Sequence, residues 1–116
     1  MLFVCYPKCS TCRKARMWLD ERGAAYDLRD IREDRPTEAE LRAWVKKSGL
    51  DVRRFFNTSG MQYRSLNLKE RLPRMSEDEM FALLATDGML VKRPLLVTDE
   101  TVVTGFKAED YELAVK

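Results

Sequence analysis

The sequence contains no histidine. Dyads and triads that use imidazole as base are therefore excluded, and any proton chemistry falls to thiols, carboxylates, lysine or water. No apolar run approaches the roughly 18 residues that a membrane-spanning helix needs. The opening Met1-Leu2-Phe3-Val4-Cys5 is followed closely by charge rather than by a signal-peptide cleavage pattern, so a cytoplasmic protein with no membrane association is expected. Neither sign of charge dominates: 21 Lys and Arg against 19 Asp and Glu leave a net charge of +2, too balanced to imply direct nucleic-acid binding. Glycine and proline are scarce, at 5 and 4 residues, and no linker, repeat or low-complexity segment is visible. Cysteine is missing from everything after Cys12. Bridges among Cys5, Cys9 and Cys12 would cross-link almost none of the chain, which excludes a disulfide-stapled secreted fold.

What is present is an ordinary globular composition, 45% hydrophobic and 34% charged over 116 residues. That is enough for one domain, residues 1–116, with its own core. Leu2 to Cys5 reads as a buried strand. Ser10 to Arg22 carries Ala15, Trp18 and Leu19 at helical spacing, with Gly23 placed to end it, and Ala24 to Leu28 reads as a second strand. Strand, helix and strand make a βαβ unit with parallel strands. Thr37-Glu38-Ala39-Glu40 and Ser76-Glu77-Asp78-Glu79 are capping boxes. They open one helix with Leu41, Trp44 and Val45 on a face, stopped at Ser48-Gly49, and another with Met80, Leu83 and Leu84, ending at Asp87-Gly88. Leu50 to Pro73 is less regular and predicts short helical turns around the polar loop Asn57-Thr58-Ser59-Gly60. Leu95 to Val97 and Thr101 to Thr104 flank Asp99-Glu100 as a hairpin, and a last helix starts near Ala108. The sum is an α/β fold: βαβ, a helical insert, then ββα, sharing a four-stranded mixed sheet.

The chemistry concentrates in Val4-Cys5-Tyr6-Pro7-Lys8-Cys9-Ser10-Thr11-Cys12-Arg13-Lys14. Two thiols spaced Cys-x-x-Cys after a strand and at the start of a helix read as a thioredoxin-like redox motif. Cys9 meets the open N–H groups and the positive end of the helix dipole, with Lys8 and Arg13 alongside. Cys9 is therefore expected to be the nucleophile and Cys12 the resolving thiol. Buried cysteines also serve as small packing residues, and that is the reading for Cys5, whose strand position turns it away from the loop thiols. The Cys-x3-Cys-x2-Cys spacing also matches an iron–sulfur site, but without histidine three cysteines make a poor closed zinc site, and no metal is expected. The second signal is Lys92-Arg93-Pro94-Leu95. A proline at the start of a strand is a plausible cis site, and Arg93 beside it suits two-point binding of an oxyanion or carboxylate; the alternative is a solvated arginine before a strand-capping proline.

Taken in order, Tyr6-Pro7-Lys8-Cys9-Ser10-Thr11-Cys12-Arg13-Lys14-Ala15, Phe56-Asn57-Thr58-Ser59-Gly60, Lys92-Arg93-Pro94 and Val103-Thr104-Gly105-Phe106 resemble the glutaredoxin-dependent arsenate reductase family and its Spx-like relatives across essentially the whole chain. The resemblance implies a thioredoxin fold with a helical insertion, about 31–88, and a cis Pro94 facing the cysteine loop. In the reductases the loop cysteine attacks arsenate, arginines bind the oxyanion, and glutathione with glutaredoxin completes the cycle. Cys9, Thr11, Arg13 and Arg93 match that pattern. Ser10 and Cys12 stand where the reductases have glycine and serine, the mid-chain arginine is replaced around Asn57, and the one after the hairpin by Lys107. One arginine and one lysine imply a weaker oxyanion clamp, because lysine lacks the planar fork.

The Cys9/Cys12 pair is shared with Spx-like thiol-switch regulators, which bind the C-terminal domain of the RNA polymerase α subunit. The sequence thus implies a monomeric thiol oxidoreductase without a bound cofactor. Cys9, Cys12 and Arg93 would be catalytic, and Ser10, Thr11, Arg13, Asn57, Pro94 and Lys107 would bind an oxyanion or disulfide substrate. Glutathione with glutaredoxin, or thioredoxin, would donate electrons. The alternative is a redox-sensing regulator.

Overall fold

The computed structural model describes residues 1–115. Strands β1 (Leu2–Cys5), β2 (Asp27–Asp30), β3 (Leu95–Val97) and β4 (Val102–Thr104) form one sheet in the order β2-β1-β3-β4. β1 and β2 run parallel, with Leu2 opposite Asp27; β3 is antiparallel to both β1 and β4, with Leu2 opposite Val97 and Leu95 opposite Thr104. Helix α1 (Ser10–Glu21) joins β1 to β2, and α6 (Ala108–Ala114) follows β4. Between the halves lies the helical insert: α2 (Glu38–Ser48), α3 (Met61–Ser65), α4 (Leu68–Arg71) and α5 (Glu77–Leu84), with 3-10 turns at Val52–Phe55, Leu72–Arg74 and Gly88–Leu90. This is the thioredoxin-like α/β architecture expected from the sequence.

The alternation of strand side chains divides the core between the two faces of the sheet. Phe3, Cys5 and Leu96 pack with Cys12, Ala15 and Leu19 of α1 and Tyr111 of α6. Val4, Leu95 and Val97 point the other way, onto Leu41 and Trp44 of α2, Phe55, Phe56, and Met80, Phe81 and Leu84 of α5.

Two boundaries differ from expectation. The second strand lies at Asp27–Asp30 rather than Ala24 to Leu28. After the left-handed turn at Gly23 (φ 64°), Ala24 and Tyr26 fold back on the α1 face, Tyr26 edge-on to Phe3 with ring centroids 5.6 Å apart, and pairing begins with the Asp27 amide donating to the Met1 carbonyl at 2.9 Å. β2 is an edge strand with Leu28 exposed, so its composition does not mark it as sheet. Helix α5 stops at Leu84, short of Asp87-Gly88; there the Asp87 side chain accepts from the Met89 amide at 2.9 Å and starts a 3-10 turn.

Both capping boxes form, Thr37 with Glu40 and Ser76 with Glu79. Glu40 also takes a two-point contact from Arg29, at 2.6 and 2.9 Å, which ties β2 to the start of α2. The guanidinium, helped by the Thr37 amide, holds the Glu40 carboxyl down at about 2, against an ordinary 4.5. A depressed carboxyl contributes stability that is complete above its unfolded value and is lost as pH falls toward the folded one. Glu40→Gln, which keeps a capping acceptor, should therefore cost about 1 kcal/mol near neutral pH, allowing for solvent screening of a half-exposed pair. The gap in urea midpoint between variant and parent should narrow progressively as pH falls from 4.5 toward 2. A gap that does not change over that window would show that the ion pair contributes nothing.

Candidate functional site

The loop after β1 is closed by the Cys9 amide donating to the Tyr6 carbonyl at 2.9 Å, which delivers Cys9 to the N-cap of α1 in extended conformation (φ −85°, ψ 126°). No side chain caps the helix and its first turn carries no acid. The open amides and the dipole of this 12-residue helix are thus left without an internal counter-charge. Cys9 is half-buried and Thr11 exposed, and both line a cleft of about 600 Å³.

The opposite wall comes from the insert. Phe56 and Val91 form an isolated antiparallel bridge, flanked by Asn57 N–H to the Leu90 carbonyl at 2.8 Å and Lys92 N–H to the Phe55 carbonyl at 2.7 Å. These bonds lay Arg53 to Ser59 beside Lys92-Arg93-Pro94, whose Arg93–Pro94 peptide is cis. A third wall, Thr104 to Lys107, is fixed by Gly105. Its φ of 72° suits glycine, and its amide donates to the Pro94 carbonyl at 2.8 Å. Phe106 packs edge-on to Tyr111 at 4.9 Å, and the Tyr111 hydroxyl donates to the Gly105 carbonyl at 3.3 Å; burial raises that phenol's affinity for its proton.

Five cations line the cleft, Arg53, Arg54, Lys92, Arg93 and Lys107, and no carboxylate does so among the described residues. Arg53 is partly neutralised by Asp51 at 3.1 Å, whereas Arg54, Lys92, Arg93 and Lys107 form no ion pair among the described residues. Arg93 is the most constrained. Its guanidinium lies 5.3 Å from the Tyr6 ring centre, one terminal nitrogen donates to the Met89 carbonyl at 3.4 Å, and its Nε is buried without a hydrogen-bond partner. A buried donor left unpaired costs about 1–3 kcal/mol, so an anion that accepts from it binds with that cost removed.

Cys12 lies beneath Cys9, only 1% exposed, on the inner side of the first turn. Its Sγ accepts from the Tyr6 amide at 3.4 Å, and the residue packs with Cys5 in one group against which Cys9 lies. The Cys5 contact, then burial, pushes the Cys12 thiol above an ordinary cysteine, so it is held protonated. Cys5 is buried as expected, but its thiol is not turned away from the loop. As the last residue of β1 it points to the α1 face, where the first helical turn sets Cys12 against it. Among the described residues, no three ligand-type side chains converge as they would on a metal ion.

Of the residues singled out in the sequence, Cys9, Thr11, Asn57, Arg93 and Lys107 share the cleft, with Cys12 and the buried Pro94 behind it. Ser10 and Arg13 do not line it. Ser10 is exposed at the first helical position, and Arg13 donates from Nε to the Pro7 carbonyl at 3.1 Å, bracing the loop rather than facing a ligand. Arg53, Arg54 and Lys92 were missed as site residues. The available signal was a basic doublet just ahead of Phe55-Phe56-Asn57-Thr58, and it overturns the expectation of a clamp with one arginine and one lysine.

Residues 5–114 match the model of the ArsC family. The chain is 55% identical to the protein YusI of Bacillus subtilis, covering 97% of this chain and 95% of that one. It is 27% identical to the regulatory protein MgsR of the same organism, over 91% of this chain and 82% of the relative. The crystal structure of an ArsC family related protein from Bacteroides fragilis superposes with a TM-score of 0.95 at 54% identity, over 97% of this chain and 95% of that one. No helix among the described residues is long and apolar enough to cross a membrane.

Proposed function

The chain belongs to the ArsC family, and from that premise we propose that it is a thiol oxidoreductase acting on an anionic oxidised substrate, with Cys9 as nucleophile and Cys12 as resolving thiol. The observation that carries this reading is the position of Cys9: at the uncapped start of α1, on the rim of a cleft with five cations and no carboxylate among the described residues, directly above a buried second thiol.

On a disulfide, the Cys9 sulfur attacks one sulfur and expels the other as thiolate, and the Cys12 sulfur then attacks Cys9 and releases the remaining half. On an oxyanion, the Cys9 sulfur replaces one oxygen, which leaves as water. Attack of Cys12 on Cys9 then breaks the bond to the central atom, whose electron pair stays with that atom and reduces it by two electrons. Both routes end in a Cys9–Cys12 disulfide, which glutathione with glutaredoxin, or thioredoxin, returns to the dithiol. Arg93, with Arg54, Lys92 and Lys107, holds the negative charge. Asn57 and Thr11 supply neutral polar contacts, and Pro94 shapes the wall.

Because Cys12 is needed only to release the first adduct, Cys12→Ser should accumulate Cys9 joined to its substrate, recoverable by non-reducing electrophoresis and mass spectrometry. Arg93→Ala should raise KM about tenfold or more with a smaller change in kcat, since the guanidinium binds charge in ground and transition states alike. A Cys12→Ser protein that traps no adduct on Cys9 from lysate, glutathione disulfide or arsenate would sink the assignment. The likeness to MgsR, a regulatory protein, favours a second reading: a thiol-switch regulator whose partner, by the resemblance to Spx-like proteins, would be the RNA polymerase α subunit. Disulfide-dependent capture of that subunit without turnover would select it.

A further inference from the structure

The Cys9/Cys12 cycle leaves one thiol unused. Cys5 is 3% exposed, at the end of β1, and packs with Cys12 in one buried group against which Cys9 lies. The Tyr6 amide, bonded directly to the Cys5 carbonyl carbon, donates to the Cys12 Sγ at 3.4 Å, so the strand end and the helix turn are already in register at the sulfur. Cys12 is therefore flanked by one thiol facing the cleft and one facing the core. Cys5 and Cys12 belong to a single packed group with Phe3, Ala15 and Tyr111, and Cys9 packs against that group.

We infer that Cys5 is a third redox thiol, which takes Cys12 from Cys9 once the loop disulfide has formed and so moves the oxidised bond inward, from Cys9–Cys12 to Cys5–Cys12. The inference rests on the reading of Cys9 and Cys12 given above. In the exchange the Cys5 sulfur, as thiolate, attacks the Cys12 sulfur, the Cys9–Cys12 bond breaks, and its electron pair goes to Cys9. One disulfide replaces another with no net oxidation, and the proton given up by Cys5 is taken by Cys9 or by solvent. The consequence is an oxidised protein that still presents a free Cys9 to the cleft while its disulfide is shielded from external reductants. Reduction then has to pass back through Cys9.

Trypsin distinguishes the two bonds, because cleavage after Lys8 and after Arg13 puts Cys5 in peptide 1–8 and both Cys9 and Cys12 in peptide 9–13. The full chain is oxidised with about one equivalent of diamide, quenched in acid, blocked with N-ethylmaleimide and digested. The expected product is peptide 1–8 linked to 9–13, with the maleimide on Cys9. In Cys5→Ser the only disulfide should be internal to 9–13, and oxidised Cys9 should no longer be labelled. In Cys9→Ser the cross-link should fall at least tenfold, because diamide must then reach buried sulfurs directly. An internal 9–13 disulfide with Cys5 carrying the label would overturn the relay while leaving Cys9 and Cys12 in their roles. A cross-link undiminished in Cys9→Ser would also overturn it. The absence of any disulfide would overturn both this inference and the proposed function.

Discussion

Cys9→Ser should lower turnover of any oxidised substrate by at least about a thousandfold, and it should do so without unfolding the protein. The size follows from what is removed. A serine hydroxyl is protonated at neutral pH and, with no histidine in the chain, there is no imidazole to activate it. The five cations would remain to bind substrate, so KM should change far less than kcat. Each single cation is a smaller matter: losing one of several is worth about 1–2 kcal/mol, roughly five- to thirtyfold. The nucleophile therefore outweighs any one member of the clamp by about two orders of magnitude. Because Cys9 is half-buried in a loop and makes no side-chain cap, replacing sulfur by oxygen there removes little packing, and the melting temperature should move by no more than about 2 °C. Steady-state kinetics with arsenate and with glutathione disulfide, beside thermal unfolding, check both halves. Turnover that survives in Cys9→Ser but is lost in Cys12→Ser would invert the two roles.

How much of this was legible before the structure depended on the range of the interaction. Cys9 at the start of α1, both capping boxes and the left-handed turn at Gly23 are local: their residues lie within about one turn of the groups they serve, and the structure places them as read. The edge strand was displaced by three residues, because Asp27-Leu28-Arg29-Asp30 takes its strand character from a hydrogen-bonded neighbour in β1 rather than from its own side chains. Arg53 and Arg54 could not be assigned to the site from composition. What brings them to Cys9 is the bridge between Phe56 and Val91, a pairing across 35 positions, shown by the residue numbers themselves. The face of β1 on which Cys5 lies follows from alternation with Phe3, but that Cys12 meets it there is a matter of how α1 rotates onto the sheet.

A second long-range contact, between Gly88 and the Ile31 backbone, makes one glycine decisive for stability. Gly88→Ala should destabilise the protein by about 3 kcal/mol or more, lowering the melting temperature by more than about 10 °C. A Cβ on Gly88 would lie 1.7 Å from the Ile31 carbonyl oxygen and 2.7 Å from its carbon, so the obstacle is backbone and not the movable end of a side chain. Neither partner can retreat easily. Ile31 is fully buried and its amide donates to the Cys5 carbonyl at 2.8 Å, which holds it to the end of β1. On the other side the 3-10 turn is fixed by Val91 N–H to the Gly88 carbonyl at 3.1 Å and Leu90 N–H to the Asp87 carbonyl at 3.0 Å. Relief of the clash must shift Met89 and Leu90, which respectively carry the carbonyls that receive Arg93 and Asn57 N–H. The substitution is thus expected to weaken substrate binding even at temperatures where the protein stays folded. Gly60→Ala is the control. Its Cβ would meet the Asn57 Nδ2 at 2.8 Å, a side-chain atom that can swing aside, so it should cost less than about 1 kcal/mol. Urea unfolding of the two variants against the parent decides the point, and equal midpoints for Gly88→Ala and Gly60→Ala would show that Ile31 and the turn are free to separate.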